Sequence, residues 1–163
     1  ICFIPNNDYR RFLAAHGVSV SKGEYIDASG KILGMHQGYC HYTIGQRKGL
    51  GIALGSPKFV TKIDASRNHV TLGEREDLLT QEAKIADVHI RDLNWLTESP
   101  NIQARIRYKS PAVDAQLSLE TGSLFNDCDI KTINFTTPVW GVTPGQSLVI
   151  YKDNLVVGGG IIQ

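Results

Sequence analysis

The residues of this chain that can do chemistry are a lone cysteine and four short stretches. Cys2 sits in ICFI, between Ile1 and the apolar pair Phe3 and Ile4. Free cysteine is among the most often buried residue types, so a small core thiol is one reading. A reactive thiolate is the other, and it needs nearby cations or a helix N-terminus to lower its pKa. The residues around Cys2 leave both open. His36, Cys40 and His41 put three ligand-type residues within six positions. No second cysteine and histidine cluster completes a four-ligand site, so no metal is expected.

The next stretch, HYTIGQRKGLGIALGSP, sets Gly45, Gly49, Gly51 and Gly55 around Arg47 and Lys48. Glycines allow tight turns with exposed backbone N–H groups, and adjacent cations suit phosphate. The stretch lacks both the Gly-Lys-Ser/Thr ending of a Walker loop and the G-x-G-x-x-G dinucleotide spacing. A turn loop beside an RNA backbone fits better than an isolated nucleotide site. Further along, IQARIRYK alternates Ile102, Ala104, Ile106 and Tyr108 with Gln103, Arg105, Arg107 and Lys109. As a strand, this puts a row of cations on one face. Such cations are ordinarily just solvated, but three with no acidic partner are what phosphate contacts would require. Tyr108 can stack or hydrogen-bond where the strand end is exposed. TPGQ at positions 143–146 reads as a turn with Pro144 and Gly145 in the centre. Gln146 then opens a strand and can turn its amide to a base or sugar.

These residues need elements to hold them. Asn7 or Asp8 caps a short helix that carries Tyr9, Phe12 and Leu13 and stops at Gly17. KFVTKID and NHVTLG, separated by a short polar turn, read as a hairpin. After the polar run EREDLLTQEA come EAKIADVHI, IQARIRYK, DAQLSLE, DIKTINF, SLVIYKD and LVVGGGIIQ. Many short strands punctuated by Gly, Pro and Asn make a mainly β chain, either barrel or sandwich. The domain boundary is expected within EREDLLTQEA.

The 42% hydrophobic and 20% charged content is that of a globular protein able to bury a core. No apolar run is long enough to cross a bilayer, and no secretory leader stands at the start. The three thiols, Cys2, Cys40 and Cys128, are odd in number and widely spaced. A reducing, cytoplasmic setting without membrane contact is therefore expected. A net charge of +1 conceals segregation, since no Asp or Glu occurs from Ala28 to Ile63 or from Pro100 to Val113. Basic stretches within a neutral total suit a polyanion-binding face on an otherwise balanced protein.

Taken together, ICFI, GMHQGYCHYTIGQRKGLGI, ARIRYKSP and TPGQSLVIYKDNLVVGGGII resemble the C-terminal portion of the tRNA-specific 2-thiouridylase family in order and spacing. The resemblance covers essentially the whole chain. It implies a small central β domain with one short N-terminal helix in residues 1–80, including the end of the catalytic region. A C-terminal β-barrel like the second domain of elongation factors would occupy 81–163. The ATP-binding PP-loop domain of the family lies outside this sequence, so ATP is implied for the intact enzyme only.

The reaction implied is 2-thiolation of a wobble uridine, by adenylation and then sulfur transfer from a cysteine persulfide. The family pattern assigns Cys2 as the second catalytic cysteine, carrying the persulfide or forming a transient disulfide with the first. It assigns tRNA contacts to Arg107, Tyr108 and Gln146, and the charge reading adds Arg47, Lys48 and Arg105 as weaker candidates. Implied partners are the anticodon arm of tRNA and a persulfide-carrying sulfur-donor protein. By itself this stretch would not catalyse. The reading from a different class is a non-catalytic RNA-binding β-barrel module in which Cys2 is structural.

Overall fold

The structure, a computed structural model, describes residues 8–18, 21–91, 102–118 and 130–163. Cys2 and Cys128 lie outside the described residues. Close packing divides the chain into two units, Ile1–Asp77 and Leu78–Gln163. The secondary structure is overwhelmingly β, as the strand signals require.

In the first unit, α1 spans Tyr9–Ala15, and the Asp8 carboxylate caps it by accepting from the Arg11 amide at 3.1 Å. Gly17, at φ 75°, takes the left-handed conformation that ends the helix. A four-stranded sheet follows: β1 (Gly23–Ile26), β2 (Ile32–His36), β3 (Phe59–Asp64) and β4 (His69–Gly73), in the order β2-β1-β4-β3. The expected β3–β4 hairpin is present. β1 and β2 are additional to the strands expected from sequence, as is the parallel pairing of β1 with β4. Local signal explains the β1–β2 turn after the fact. Asp27 Oδ1 accepts from the amides of Ser29 and Lys31 and from the Ser29 hydroxyl, and Gly30 adopts φ 86°. Tyr25, Tyr42, Val60, Val70 and Leu72 form the core, with Leu50, Ile52 and Leu54 of the glycine-rich stretch packed against it.

The second unit is a closed six-stranded barrel, which settles the choice between barrel and sandwich. Its strands are β5 (Leu79–Ile90), β6 (Ile102–Arg105), β7 (Val113–Ser118), β8 (Lys131–Trp140), β9 (Ser147–Lys152) and β10 (Leu155–Ile162). They close in the order β10-β5-β8-β7-β6-β9. Alternate residues point inward, so Ile85, Ile133, Leu148, Ile150 and Ile162 are sealed in one core. The run of glycines in β10 is steric in origin. A Cβ at Gly158 would lie 2.5 Å from the His89 carbonyl oxygen, and one at Gly160 would lie 2.7 Å from that of Ala86.

Candidate nucleic-acid interface

The expected cationic strand does not run its full length. β6 ends at Arg105, Ile106 is still buried, and residues 107–110 turn. Ser110 causes the turn: its amide and hydroxyl both donate to the Arg107 carbonyl, at 3.0 and 2.9 Å, while its oxygen accepts from the Arg107 amide at 3.2 Å. Tyr108 therefore leaves the core face that simple alternation gave it and stands 90% exposed beside Lys109, also exposed.

Arg107 is not an outward cation either. Its Nη2 donates to the carbonyl of Trp140 at 3.2 Å and to that of Gly141, and its guanidinium lies 5.4 Å above the Trp140 ring. Its Nε is buried without a hydrogen-bond partner. The side chain thus pins the end of β8 to the β6–β7 turn.

The same carbonyl links Arg107 to the TPGQ turn. The Thr143 hydroxyl donates to the Gly141 oxygen at 3.0 Å, and the Gln146 amide donates to the Thr143 carbonyl at 3.3 Å. Gly145 adopts φ 81°, which makes Thr143–Gln146 the turn that the sequence signalled. Gln146 precedes β9, and its backbone carbonyl accepts from Ile162 at 2.9 Å. Its half-buried side chain holds Oε1 out of solvent with no partner. One end of the barrel thus gathers Arg107, Tyr108 and Gln146, which lie far apart in sequence. Arg105 is not gathered with them by any such bond; it is half-buried, with its guanidinium 5.4 Å from the Tyr151 ring centre.

Arg47 and Lys48 belong to the first unit, on an exposed loop. Gly45, Gly49, Gly51 and Gly55 all have positive φ, so the glycines serve loop geometry. Gln46 clamps the loop, its Oε1 accepting from the Thr43 amide and its Nε2 donating to the Lys48 carbonyl. The buried Tyr25 hydroxyl donates to the Leu50 carbonyl at 2.7 Å. These bonds fix the backbone on which Arg47 and Lys48 are displayed.

His36, Cys40 and His41 are not directed at a common point. His36 Nδ1 accepts from the Gly38 amide at 2.9 Å, and its ring sits edge-on to Tyr25 and Tyr42. Burial pushes its pKa below the usual histidine value, aided by His69 and His41 and opposed by backbone groups of Asn68 and Glu24. Cys40 Sγ lies 3.9 Å from His41 Nδ1. Among the described residues, no group of three His, Cys, Asp or Glu side chains could hold a metal ion. No described helix is long and apolar enough to cross a membrane. The partners that sequence reasoning missed are Ser110, Trp140 and Gly141. Ser110 and Gly141 are unremarkable in sequence, and Trp140 at a strand end was the one available signal.

Two family models match this chain. The tRNA methyl transferase PRC-barrel domain matches residues 10–74, and the Aminomethyltransferase beta-barrel domain matches residues 86–162. The whole chain is also 42% identical to a protein of Acetivibrio thermocellus named tRNA-specific 2-thiouridylase MnmA. It is 43% identical to the protein of that name from Halothermothrix orenii and to tRNA-specific 2-thiouridylase MnmA 2 of Clostridium tetani. In each case all of this chain is covered, and it spans 44% of the relative's length. The chain belongs to the tRNA-specific 2-thiouridylase family.

Proposed function

We propose that this chain is part of a tRNA-uridine 2-sulfurtransferase, contributing a catalytic cysteine and a tRNA-binding surface to a longer enzyme. The observation that carries the reading is the match over the entire chain, at 41–43% identity, to proteins named for this activity. In the intact enzyme ATP would supply adenylation of the wobble uridine, turning the C2 oxygen into a leaving group carried off as AMP. A persulfide supplies nucleophilic sulfur to the activated carbon without free sulfide. Cys2 is assigned the persulfide or a transient disulfide with a cysteine elsewhere in the protein. The persulfide's outer sulfur bonds C2 as AMP leaves, and the second thiol breaks the S–S bond by forming the disulfide. A cellular thiol reduces that disulfide before a persulfide-carrying donor protein recharges the site. Arg107, Tyr108 and Gln146 are assigned to the anticodon-arm surface, with Arg47, Lys48 and Arg105 as weaker tRNA contacts. A reducing cytoplasm is the compartment in which such thiols persist.

The test is Cys2→Ser in the full-length protein. The variant should form no 2-thiouridine, read by nucleoside mass spectrometry, while binding tRNA as the wild type does. Normal thiolation would remove Cys2 from the chemistry and favour a purely RNA-binding role for this region.

A further inference from the structure

The barrel carries a slot of about 430 Å³ lined by apolar side chains, among them Ile106, Pro111, Val113, Val139 and Trp140, with Arg107 and Lys109 also in its wall. Its origin is topological. β7 pairs with β8 only from Thr132 to Phe135, whereas β8 continues to Trp140 and includes Pro138, which has no N–H to give a neighbour. The β6–β7 turn and the free flank of β8 therefore part, and the slot lies between them. The Arg107 bonds to the Trp140 and Gly141 carbonyls hold its two walls at a fixed spacing.

We infer that this slot takes one unpaired nucleobase of the tRNA, with Lys109 on the adjoining phosphate and Arg107 as the positioning residue that keeps the slot open. The inference rests on the tRNA reading above and assigns parts within it. The lining is apolar with cations and no carboxylate, which matches a flat, weakly polar base attached to a phosphate. Its volume falls in the range of small-ligand sites. Tyr108, 90% exposed between the two cations, offers a ring for a neighbouring base. An acidic or apolar peptide is the competing occupant, but an acidic peptide matches the cations and not the apolar walls, and an apolar one matches the walls and not the cations.

The experiment measures tRNA binding by the full-length protein over a range of salt concentrations, with melting temperatures recorded alongside. Val113→Phe, which puts a ring into the slot, should weaken binding roughly ten-fold. Lys109→Ala should lower the salt slope by about one. Arg107→Lys keeps the charge but loses the planar guanidinium over the Trp140 ring and the reach that brings Nη2 to the two carbonyls. It should therefore lose affinity as Val113→Phe does while keeping the wild-type salt slope. Ultraviolet cross-linking should join an unpaired nucleotide to peptides containing Tyr108 or Trp140, and this decides the matter if Val113→Phe melts early. Wild-type affinity in both Val113→Phe and Arg107→Lys overturns the slot and leaves the tRNA reading standing. A cross-link from the slot to a polypeptide, with none to RNA, also overturns it. Failure of the wild-type protein to bind tRNA sinks the underlying reading as well.

Discussion

His36 is 1% exposed, and because Nδ1 accepts from Gly38 its proton resides on Nε2. Burial disfavours the imidazolium, so folded His36 takes a second proton at lower pH than the unfolded chain, whose histidines titrate near 6.5. The sign follows from that. Stability from this residue is complete above about pH 6.5 and is lost as the pH falls below it, until the folded pKa is reached. Thermal denaturation from pH 7.5 to 5 should show a falling midpoint, and His36→Phe should flatten that fall even though it is less stable at pH 7.5. An unchanged slope would mean that another group governs the acid limb. Tyr108 makes the opposite case. With 90% of its surface exposed, Tyr108→Ala should shift stability by no more than about 0.5 kcal/mol while weakening tRNA binding. A large loss of stability would show that the ring packs in the folded protein.

At the scale of elements, the glycines separate two kinds of constraint. Gly145 has φ 81° and nothing within 4 Å of an added Cβ, so Gly145→Ala strains the turn alone, by about 1–2 kcal/mol. Gly158 has no such φ, but its Cβ would meet the His89 carbonyl and Ile90 Cδ1, each at 2.5 Å. Gly158→Ala should therefore cost more than Gly145→Ala, because two backbones must separate in the barrel wall. Urea midpoints of the two variants check the order, and the reverse order would contradict the packing of β10. What was legible in sequence follows the same division. The Asp8 cap, the β3–β4 hairpin and the TPGQ turn depend on neighbours within a few residues and could be read directly. The end of β6 could not, because alternation continues through Tyr108 while the Ser110 hydroxyl bends the chain. Nor could the role of Arg107, whose partners lie 33 and 34 residues away. The parallel β1–β4 pair is non-local in the same way.

At the scale of the whole molecule, a net charge of +1 is compatible with polyanion binding because the acidic residues are absent from two long stretches. One stretch includes the clamped loop with Arg47 and Lys48, and the other includes the slot with Arg107 and Lys109. The barrel has its own core and its six strands close into a ring, so residues 78–163 expressed alone should give a β-type circular dichroism spectrum and one cooperative thermal transition. A featureless, non-cooperative melt would mean that this unit needs the rest of the protein to fold. The role proposed for this chain in tRNA 2-thiolation is open to nucleoside mass spectrometry of total tRNA from cells lacking the full-length gene. 2-Thiouridine derivatives should disappear and return with the wild-type gene but not with Cys2→Ser; undiminished 2-thiouridine in a host with no second copy of the gene would contradict that role.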